Sequence, residues 1–501
     1  MKLTHLKSTA ALSVAAALVG CGSSSNSTTS MSATNPSQAA VPGISSAVSY
    51  SFDLGQIDTA TGMYYVTDRT NKAVDAMNIG SESVTLFKQA FAGCNSGGTT
   101  GGAGALIVPM PGCLTIAITA NQSYVVNNDF SGPDGLDVVG PNLFVGDVNA
   151  LWVINKTTGA KVAKIAIPNS GAANNRPAGN QGFRSDEGCY DAKNHLYATA
   201  LTGDPNFPFY TILDTTAHDN DPTGATLPVV MAQVLMNDST GAPAAGLEAC
   251  FFDTRGATTG ATTAAAGFMW LNNDGSTANP NGESDGIPIG DLIALRTAGG
   301  FPKKIVFAGP LTATPDFGAA TSSAPVCALG GGGSCGTVAP KIFALPALCD
   351  PTGIAAGPAG GTEAGAMCRP GTFNLRMDFV IFNTGGATTT APTSVAVVAG
   401  AGGGDQVAFD AASNKYYLAN SRATSTGKSC FNGGTQVCNL TPKLGVVDGT
   451  THAFVAQVDT GNNAHSVAAG SGVVILPFTN TSAAGGGANF PGGGIAVYPT
   501  F

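Results

Sequence analysis

The chain has 501 residues, of which 68 are glycine and only 11% are charged, and its formal net charge at pH 7 is −9. A chain this acidic lacks the basic patch that binding to phosphates requires, which argues against a nucleic-acid partner. Its length allows one large domain or several small ones, and its glycine content suits an all-β protein with many tight turns.

The first predicted element is an export signal. Lys2, His5 and Lys7 precede a short apolar run, residues 10–19, which falls well short of the about 20 residues that a membrane-spanning helix needs. The sequence LVGC at residues 18–21 resembles the bacterial lipoprotein box. This resemblance implies that residues 1–20 are removed and that Cys21 carries a lipid; an ordinary secretory signal is the alternative.

Residues 21–45 are predicted to be a flexible tether, because a serine-rich stretch, Gly22 to Ser37, follows Cys21 directly. Gly22 and Ser23 follow the cysteine without an aspartate, and by the same resemblance this favours the outer membrane of a Gram-negative cell. We therefore expect a cell-envelope protein that contacts the membrane through its lipid and faces the periplasm or the cell surface.

Residues 46–501 are predicted to form a single domain built from a repeated unit. The segments DLGQIDTATGMYYVTDRTNKAVDAMNI and DQVAFDAASNKYYLANS align so that Tyr64-Tyr65 matches Tyr416-Tyr417. Each unit has the pattern of a strand, a turn rich in Asp, Asn and Gly, and a second strand, such as Val138–Val139 followed by Leu143–Val145. The seven units, of which the fifth is the weakest, open at Asp53, Asp134, Asp186, Glu248, Thr352, Asp405 and His465.

Recurring hairpins without helical periodicity predict an all-β fold, and the repeat favours a β-propeller over a sandwich or barrel. Seven blades are expected, with six or eight as alternatives. The last unit is one strand short, so we expect an N-terminal strand, Ser46 to Phe52, to complete it and close the ring. Loop insertions are predicted near residues 92–130 and 309–348.

Besides Cys21, ten cysteines remain, and an even number on an exported chain suggests disulfides. The absence of any Cys-x-x-Cys pair makes a cysteine metal site unfavourable. Spacing alone does not fix the connectivity. Neighbours in sequence give the pairs Cys94–Cys113, Cys189–Cys250, Cys327–Cys335, Cys349–Cys368 and Cys430–Cys438.

The stretches YYVTDRTNKAVDAMNI, GPDGLDVVG and AHSVAAG resemble those of bacterial extracytoplasmic β-propellers of the YVTN/NHL type. PDGLDV is also similar to a strand-opening motif of the SMP-30/gluconolactonase-like propellers. Such motifs indicate the fold strongly and the activity weakly. The gluconolactonase-like resemblance implies a metal at the strand mouths, with Asp134, Glu248 and Asp405 among its ligands.

The residues that open the units should form a polar ring at one rim of the central channel, because the innermost strand of each blade lines that channel. Two interpretations are open. The carboxylates accept backbone hydrogen bonds from neighbouring blades, or a subset binds a divalent cation such as Ca²⁺. The predicted metal ligands are Asp134, Asp186, Glu248, Asp405 and His465.

A second set of polar residues follows the next strand of four units and is expected to cap hairpins, with a place on the same rim as the alternative: Asp68, Asp147, Asn273 and Asn420. The segment NNDGSTANPNGESDG, residues 272–286, is rich in Asx residues and could hold Ca²⁺, with a plain loop as the alternative. The predicted function is a binding or interaction module that receives a small ligand, metal or protein at its rim. The alternative is a metal-dependent lactone or ester hydrolase.

Overall fold

A computed structural model defines the fold. It describes residues 36–92 except 47 and 49, 115–118, 124–126, 132–167, 184–202, 208–255 except 237, 239, 241, 243 and 245, 267–276, 282–297, 303–306, 324–328, 336–338, 341–343, 350–358, 363–369, 378–384, 393–424, 431–432, 435–436, 439–479 and 492–501. Within these residues the chain forms seven antiparallel blades, so the predicted seven-bladed β-propeller is confirmed. None of the helices in the described ranges is long and apolar enough to cross a membrane.

The first three blades follow one another along the chain, each running from the channel outward. Blade 1 contains β2 Phe52–Asp58, β3 Met63–Asp68, β4 Ala73–Asn78 and β5 Ser83–Lys88. After a hairpin of β6 Thr115–Ile118 and β7 Tyr124–Val126, blade 2 contains β8 Leu136–Val139, β9 Asn142–Asp147, β10 Ala150–Asn155 and β11 Lys161–Ala166. Blade 3 contains β12 Gly188–Asp191, β13 Leu196–Leu201, β14 Phe209–Asp214, α1 Thr216–Asp219 and β15 Val229–Leu235.

Blade 4 is the most interrupted. It contains β16 Leu247–Asp253, β17 Phe268–Asn273 and β18 Glu283–Pro288, then α2 Ile289–Ala294 and a 3₁₀ turn Leu295–Thr297, and it ends with β22 Lys341–Phe343. Three strands lie in the sequence between the 3₁₀ turn and β22, and they extend the outer edge of blade 3: β19 Lys303–Val306, β20 Ala324–Ala328 and β21 Gly336–Val338. The insertions predicted near residues 92–130 and 309–348 lie largely outside the described residues, and the second of these ranges contains β22 of blade 4.

The remaining blades complete the circle. Blade 5 contains β23 Asp350–Ala356, β24 Glu363–Arg369, β25 Phe379–Asn383 and β26 Thr393–Val398. Blade 6 contains β27 Val407–Asp410, β28 Lys415–Asn420, β31 Lys443–Asp448 and β32 Phe454–Asp459, with the small hairpin β29 Phe431–Asn432 and β30 Thr435–Gln436 inserted. Blade 7 contains β33 Ala468–Gly470, β34 Val473–Phe478 and β35 Gly494–Pro499.

An N-terminal strand completes blade 7, as predicted, but it is not the predicted strand. The outermost strand is β1, Ser37–Ala39, which pairs antiparallel with β35. Phe52, at the end of the predicted closing segment, begins the inner strand of blade 1 instead. The propeller therefore starts inside the segment predicted as a tether at 21–45.

Seven hydrophobic clusters lie between the seven pairs of adjacent blades, including the pair formed by blades 7 and 1. Successive side chains of a strand point to opposite faces, so each middle strand serves two of these clusters. Tyr64 packs toward blade 7 and Tyr65 toward blade 2. Tyr416 and Tyr417 divide in the same way between blades 5 and 7. The aligned tyrosine pairs thus belong to the cores on both sides of a blade.

One disulfide joins the inner strands of blades 3 and 4. Cys189 and Cys250 are bonded, with 5.6 Å between their Cα atoms, and this predicted pair is confirmed. Cys368 is also in a disulfide. The other predicted pairings stay predictions: Cys327 has only its backbone described, and Cys21, Cys94, Cys113, Cys335, Cys349, Cys430 and Cys438 lie outside the described residues.

Candidate functional site

The inner strands of all seven blades surround a cavity of about 270 Å³ on the propeller axis. Each blade contributes residues near the start of its first strand, among them Gln56, Asp137, Glu187 and Gln406. Polar side chains therefore gather at this end of the channel, here called the rim, although none of the five predicted metal ligands lines the cavity itself.

Three carboxylates from three different blades converge at this rim. Glu187 precedes β12, Glu248 lies in β16 and Asp405 precedes β27, and one oxygen of each lies within 4.8 Å of the others. Glu187 is buried, while Glu248 and Asp405 are half-buried. Glu187 Oε2 and Asp405 Oδ1 are buried atoms without a hydrogen-bond donor. We call Glu187, Glu248 and Asp405 the rim triad.

The rim triad concentrates negative charge in a poorly hydrated place. Burial, and then the charges of Glu248, Asp186 and Asp405, raise the pKa of Glu187 well above its ordinary value of 4.5. Like charges at this separation resist simultaneous ionisation unless a cation or protons offset them. The triad therefore has the composition and the electrostatics of a site for a hard divalent cation.

The opposite part of the rim is neutralised by arginines. Arg69, whose side chain is 3% exposed, lies 3.0 Å from Asp53 Oδ2 and donates through Nε to Asp134 Oδ1 at 2.9 Å. Its Nη1 donates to the carbonyl of Phe52 at 2.9 Å. Arg69 comes from blade 1 and Asp134 opens blade 2, so this buried ion pair joins two blades. Asp134 is thus held by a guanidinium, which neither sequence interpretation anticipated.

Two more of the predicted metal ligands, Asp186 and His465, also contact side chains of opposite or complementary polarity. Arg184 Nη2 lies 2.6 Å from Asp186 Oδ2. His465 Nε2 lies 3.4 Å from Asp53 Oδ1, and its ring stacks on Phe52. Although burial acts to raise it, Arg69 and the hydrogen bond with His465 hold the pKa of Asp53 well below its ordinary value.

Of the five predicted metal ligands, the structure brings together Glu248 and Asp405, places Asp134 and Asp186 against arginines, and places His465 against Asp53. The third member of the triad is Glu187, the chain neighbour of Asp186. Successive side chains point in different directions, so a one-residue offset in the alignment exchanges one role for the other. The acidic pair Asp186-Glu187 was the available signal in the sequence. The side chain of Thr352 is not described.

In the second polar set, Asp68 and Asn273 form local hydrogen bonds of the capping kind, whereas Asn420 bonds to a residue 19 positions away in the chain. Asp68 accepts from the amide of Asn71 at 2.8 Å, and Asn273 accepts from the amide of Gly275 at 2.9 Å. Asp147 accepts from the Trp152 indole at 2.8 Å, and Asn420 donates to the Ala401 carbonyl at 2.8 Å.

Asp137, which lines the channel, is a buried carboxyl with a raised pKa. Burial raises its pKa to about 6, although Tyr197 donates to its Oδ2 at 3.0 Å. Because the pKa of this carboxyl is higher in the folded chain than the ordinary 3.8, its contribution to the free energy of unfolding is fully present below pH 3.8. The contribution is lost as the pH rises through about 6. The raised pKa of Glu187 acts in the same direction.

In the presence of a chelator we therefore expect Tm to fall as the pH rises from 5 to 8. Thermal unfolding at half-unit steps measures this fall. Asp137→Asn, which keeps an acceptor for Tyr197 without a charge, should make the profile flatter. A Tm that rises steadily over this interval would contradict the expectation.

No family model matches the chain, and no curated protein matches it. Similar solved structures are WD40 and other propeller folds. A chain of a mitotic checkpoint complex has a TM-score of 0.48 at 9% identity, with 98% of this chain and 99% of that chain covered. A calcium-binding protein, regucalcin, from Agrobacterium tumefaciens has a TM-score of 0.34 at 10% identity, with 90% and 92% covered. The PQQ-bound aldose sugar dehydrogenase of Streptomyces coelicolor has a TM-score of 0.38 at 12% identity, with 73% and 93% covered.

Proposed function

We propose that this protein is a binding module whose rim triad holds a divalent cation at one end of the propeller channel. The observation that carries the proposal is the convergence of Glu187, Glu248 and Asp405 from three blades, with ligand atoms within 4.8 Å of one another. The buried Glu187 Oε2, which lacks a hydrogen-bond donor, supports it independently. A bound cation would supply the missing partner and offset the repulsion among the three carboxylates.

Calcium fits this donor set best among the common cations. It takes six to eight oxygen ligands with flexible geometry. Three carboxylates leave several coordination positions for water or for a ligand. Because Glu187 also lines the 270 Å³ cavity, a small molecule with carboxylate or hydroxyl oxygens can reach those positions from the channel. The proposed module thus receives a small, oxygen-bearing ligand through its cation.

Removing the triad should abolish the stabilisation that Ca²⁺ gives through this site. For a site that binds only the folded chain, Ca²⁺ at 100 times its Kd adds about 2.7 kcal/mol to the free energy of unfolding. We expect calorimetric titration to show that the Glu187→Gln/Asp405→Asn variant binds one Ca²⁺ ion fewer than the parent. Asp448→Asn, which removes one carboxylate charge from the half-buried end of β31, is the control and should bind as the parent does. Equal stoichiometry in the parent and the triad variant would refute the rim site.

The hydrolase alternative requires the same cation and one further property, turnover. A lactone carbonyl bound at an open coordination position would be polarised by the cation, and the cation would lower the pKa of a bound water. A panel of lactones, assayed with the calcium-loaded parent and with the triad variant, separates the two functions. Turnover that disappears with the triad would add catalysis to binding.

We also propose that the protein is anchored to the cell envelope through a lipid on Cys21. The signal-like residues 2–21 support export. The Cys189–Cys250 disulfide supports it as well, because stable disulfides are typical of oxidising compartments outside the cytosol.

Cys21→Ser is therefore expected to move the mature protein from the membrane fraction to the soluble fraction of lysed cells. Fractionation followed by immunoblotting measures the distribution, with Ser23→Ala as the control that keeps the cysteine. Unchanged membrane retention of the Cys21→Ser protein would defeat the proposal.

A further inference from the structure

The cavity on the propeller axis is charged at two places, and both charges are negative. Among the described residues that line it, the charged side chains are those of Glu187 and Asp137. Glu187 belongs to the rim triad, whereas Asp137 lies within β8 of blade 2. Burial and the hydrogen bond from Tyr197 set the pKa of Asp137, without a contribution from the charges of the triad. Asp137 is therefore a second acidic point of the same cavity, separate from the rim triad.

One oxygen of Asp137 is held by the protein, and the other is open to the cavity. Tyr197 donates to Oδ2 at 3.0 Å, and within the described residues Asp137 has no other side-chain hydrogen bond or ion pair. Because the residue is only 9% exposed and lines the cavity, Oδ1 faces the cavity. At the rim, by contrast, Asp53, Asp134 and Asp186 each lie beside an arginine. A buried carboxylate without a cation is costly, so a ligand that brings a positive charge to Asp137 would be stabilised there.

Two glutamine side chains give the cavity hydrogen-bond donors as well. Gln56 Oε1 accepts from the backbone amide of Val138 at 2.5 Å, and Gln406 Oε1 accepts from Ser466 Oγ at 2.9 Å. A backbone amide can only donate, so the contact with Val138 fixes the orientation of the Gln56 amide. Within the described residues neither glutamine Nε2 has an acceptor, and both side chains line the cavity. A ligand with both a positive group and oxygen acceptors therefore matches the lining.

The size of the cavity limits the ligand further. A volume of about 270 Å³ has room for about nine water molecules at roughly 30 Å³ each. We propose that the cavity binds a small amino carboxylate, whose ammonium group donates to Asp137 and whose carboxylate reaches the rim cation, with the glutamine amides donating to its oxygens. The carboxylate end of this inference rests on the proposed function, and the ammonium end does not. The ligand class is thereby narrowed to oxygen-bearing molecules that also carry an amine.

Calorimetric titration with 5-aminopentanoate, which has about eight non-hydrogen atoms and so fits this volume, tests the inference on the full chain in excess Ca²⁺ at pH 7. Its amine is protonated at this pH, as a lysine side chain is. We expect one molecule to bind the parent and Asp137→Asn to weaken that binding at least tenfold, because the ammonium group loses a charged acceptor. Pentanoate, which lacks the amine, should bind the parent and Asp137→Asn equally. Asp448→Asn is the control and should bind 5-aminopentanoate as the parent does.

Pentylamine, which has the ammonium group alone, separates this inference from the rim cation. Its affinity should fall at least tenfold in Asp137→Asn and stay unchanged in the rim variant Glu187→Gln/Asp405→Asn, whereas 5-aminopentanoate should bind the rim variant more weakly. If the rim variant binds 5-aminopentanoate as the parent does while Asp137→Asn weakens it, the ammonium site stands and the rim cation is rejected. Thermal unfolding verifies that Asp137→Asn is folded. Equal affinity of both amines for the parent and Asp137→Asn, or no binding of either amine to the parent, would overturn the inference.

Discussion

Arg69→Leu is expected to lower the free energy of unfolding by about 3–5 kcal/mol, the usual result of removing one partner from a buried ion pair. The guanidinium is 3% exposed and contacts Asp53 and Asp134, whose side chains are 9% and 0% exposed. Without it, two carboxylates from adjacent blades face each other with little solvent. Chemical denaturation of the parent and the variant at pH 7 measures the difference.

Two further variants identify the cause of that loss. Adding Asp53→Asn and Asp134→Asn to Arg69→Leu should recover part of the stability, because the buried charges are removed together. Lys443→Ala breaks a pair whose acidic partner, Asp459, is 40% exposed, and it should cost less than about 1 kcal/mol. An Arg69→Leu protein as stable as Lys443→Ala would show that the buried network contributes little.

Loss of the Cys189–Cys250 disulfide is expected to cost about 4 kcal/mol, from the chain entropy of a loop that spans 61 residues. Its effect on the site should be equally clear. Cys189 is two residues beyond Glu187, and Cys250 is two residues beyond Glu248. The bond therefore holds together two strands that carry mutually repelling members of the rim triad.

The Cys189→Ala/Cys250→Ala protein should thus melt at a lower temperature and bind Ca²⁺ at the rim more weakly. Denaturation and calorimetric titration measure the two effects separately. Ile212→Val, a small change in the hydrophobic core between the same blades, provides a control for stability loss without loss of the crosslink. If calcium affinity falls as much in Ile212→Val as in the Cys189→Ala/Cys250→Ala protein, the disulfide has no specific role at the site.

The repeat in the sequence predicts the seven blades correctly, but it does not predict which N-terminal segment forms the closing strand. Tyr64-Tyr65 and Tyr416-Tyr417 repeat because every middle strand must fill a hydrophobic core on each of its two faces. This packing requirement is visible in the sequence as a repeated pair of aromatic residues. The strand β1 has the sequence Ser-Gln-Ala, which has neither β-branched nor aromatic residues. It is a strand because β35 offers it hydrogen bonds, and that interaction between distant segments leaves no local signal.

The rim was predicted in position and only partly in membership. Glu248 and Asp405 align by the repeat, but the neighbouring acids Asp186 and Glu187 differ only in the direction of their side chains, which the alignment does not fix. Arg69 and Arg184 were missed for another reason. A long, flexible side chain reaches its partner from an unaligned position, so its pairing depends on tertiary structure.

The closing strand has a consequence for how the protein is made. Ser37 Oγ donates to the Val497 carbonyl, and 460 positions of chain separate these two residues. All six other blades are synthesised between the two halves of this contact. The ring can therefore be sealed only after the whole propeller has been synthesised.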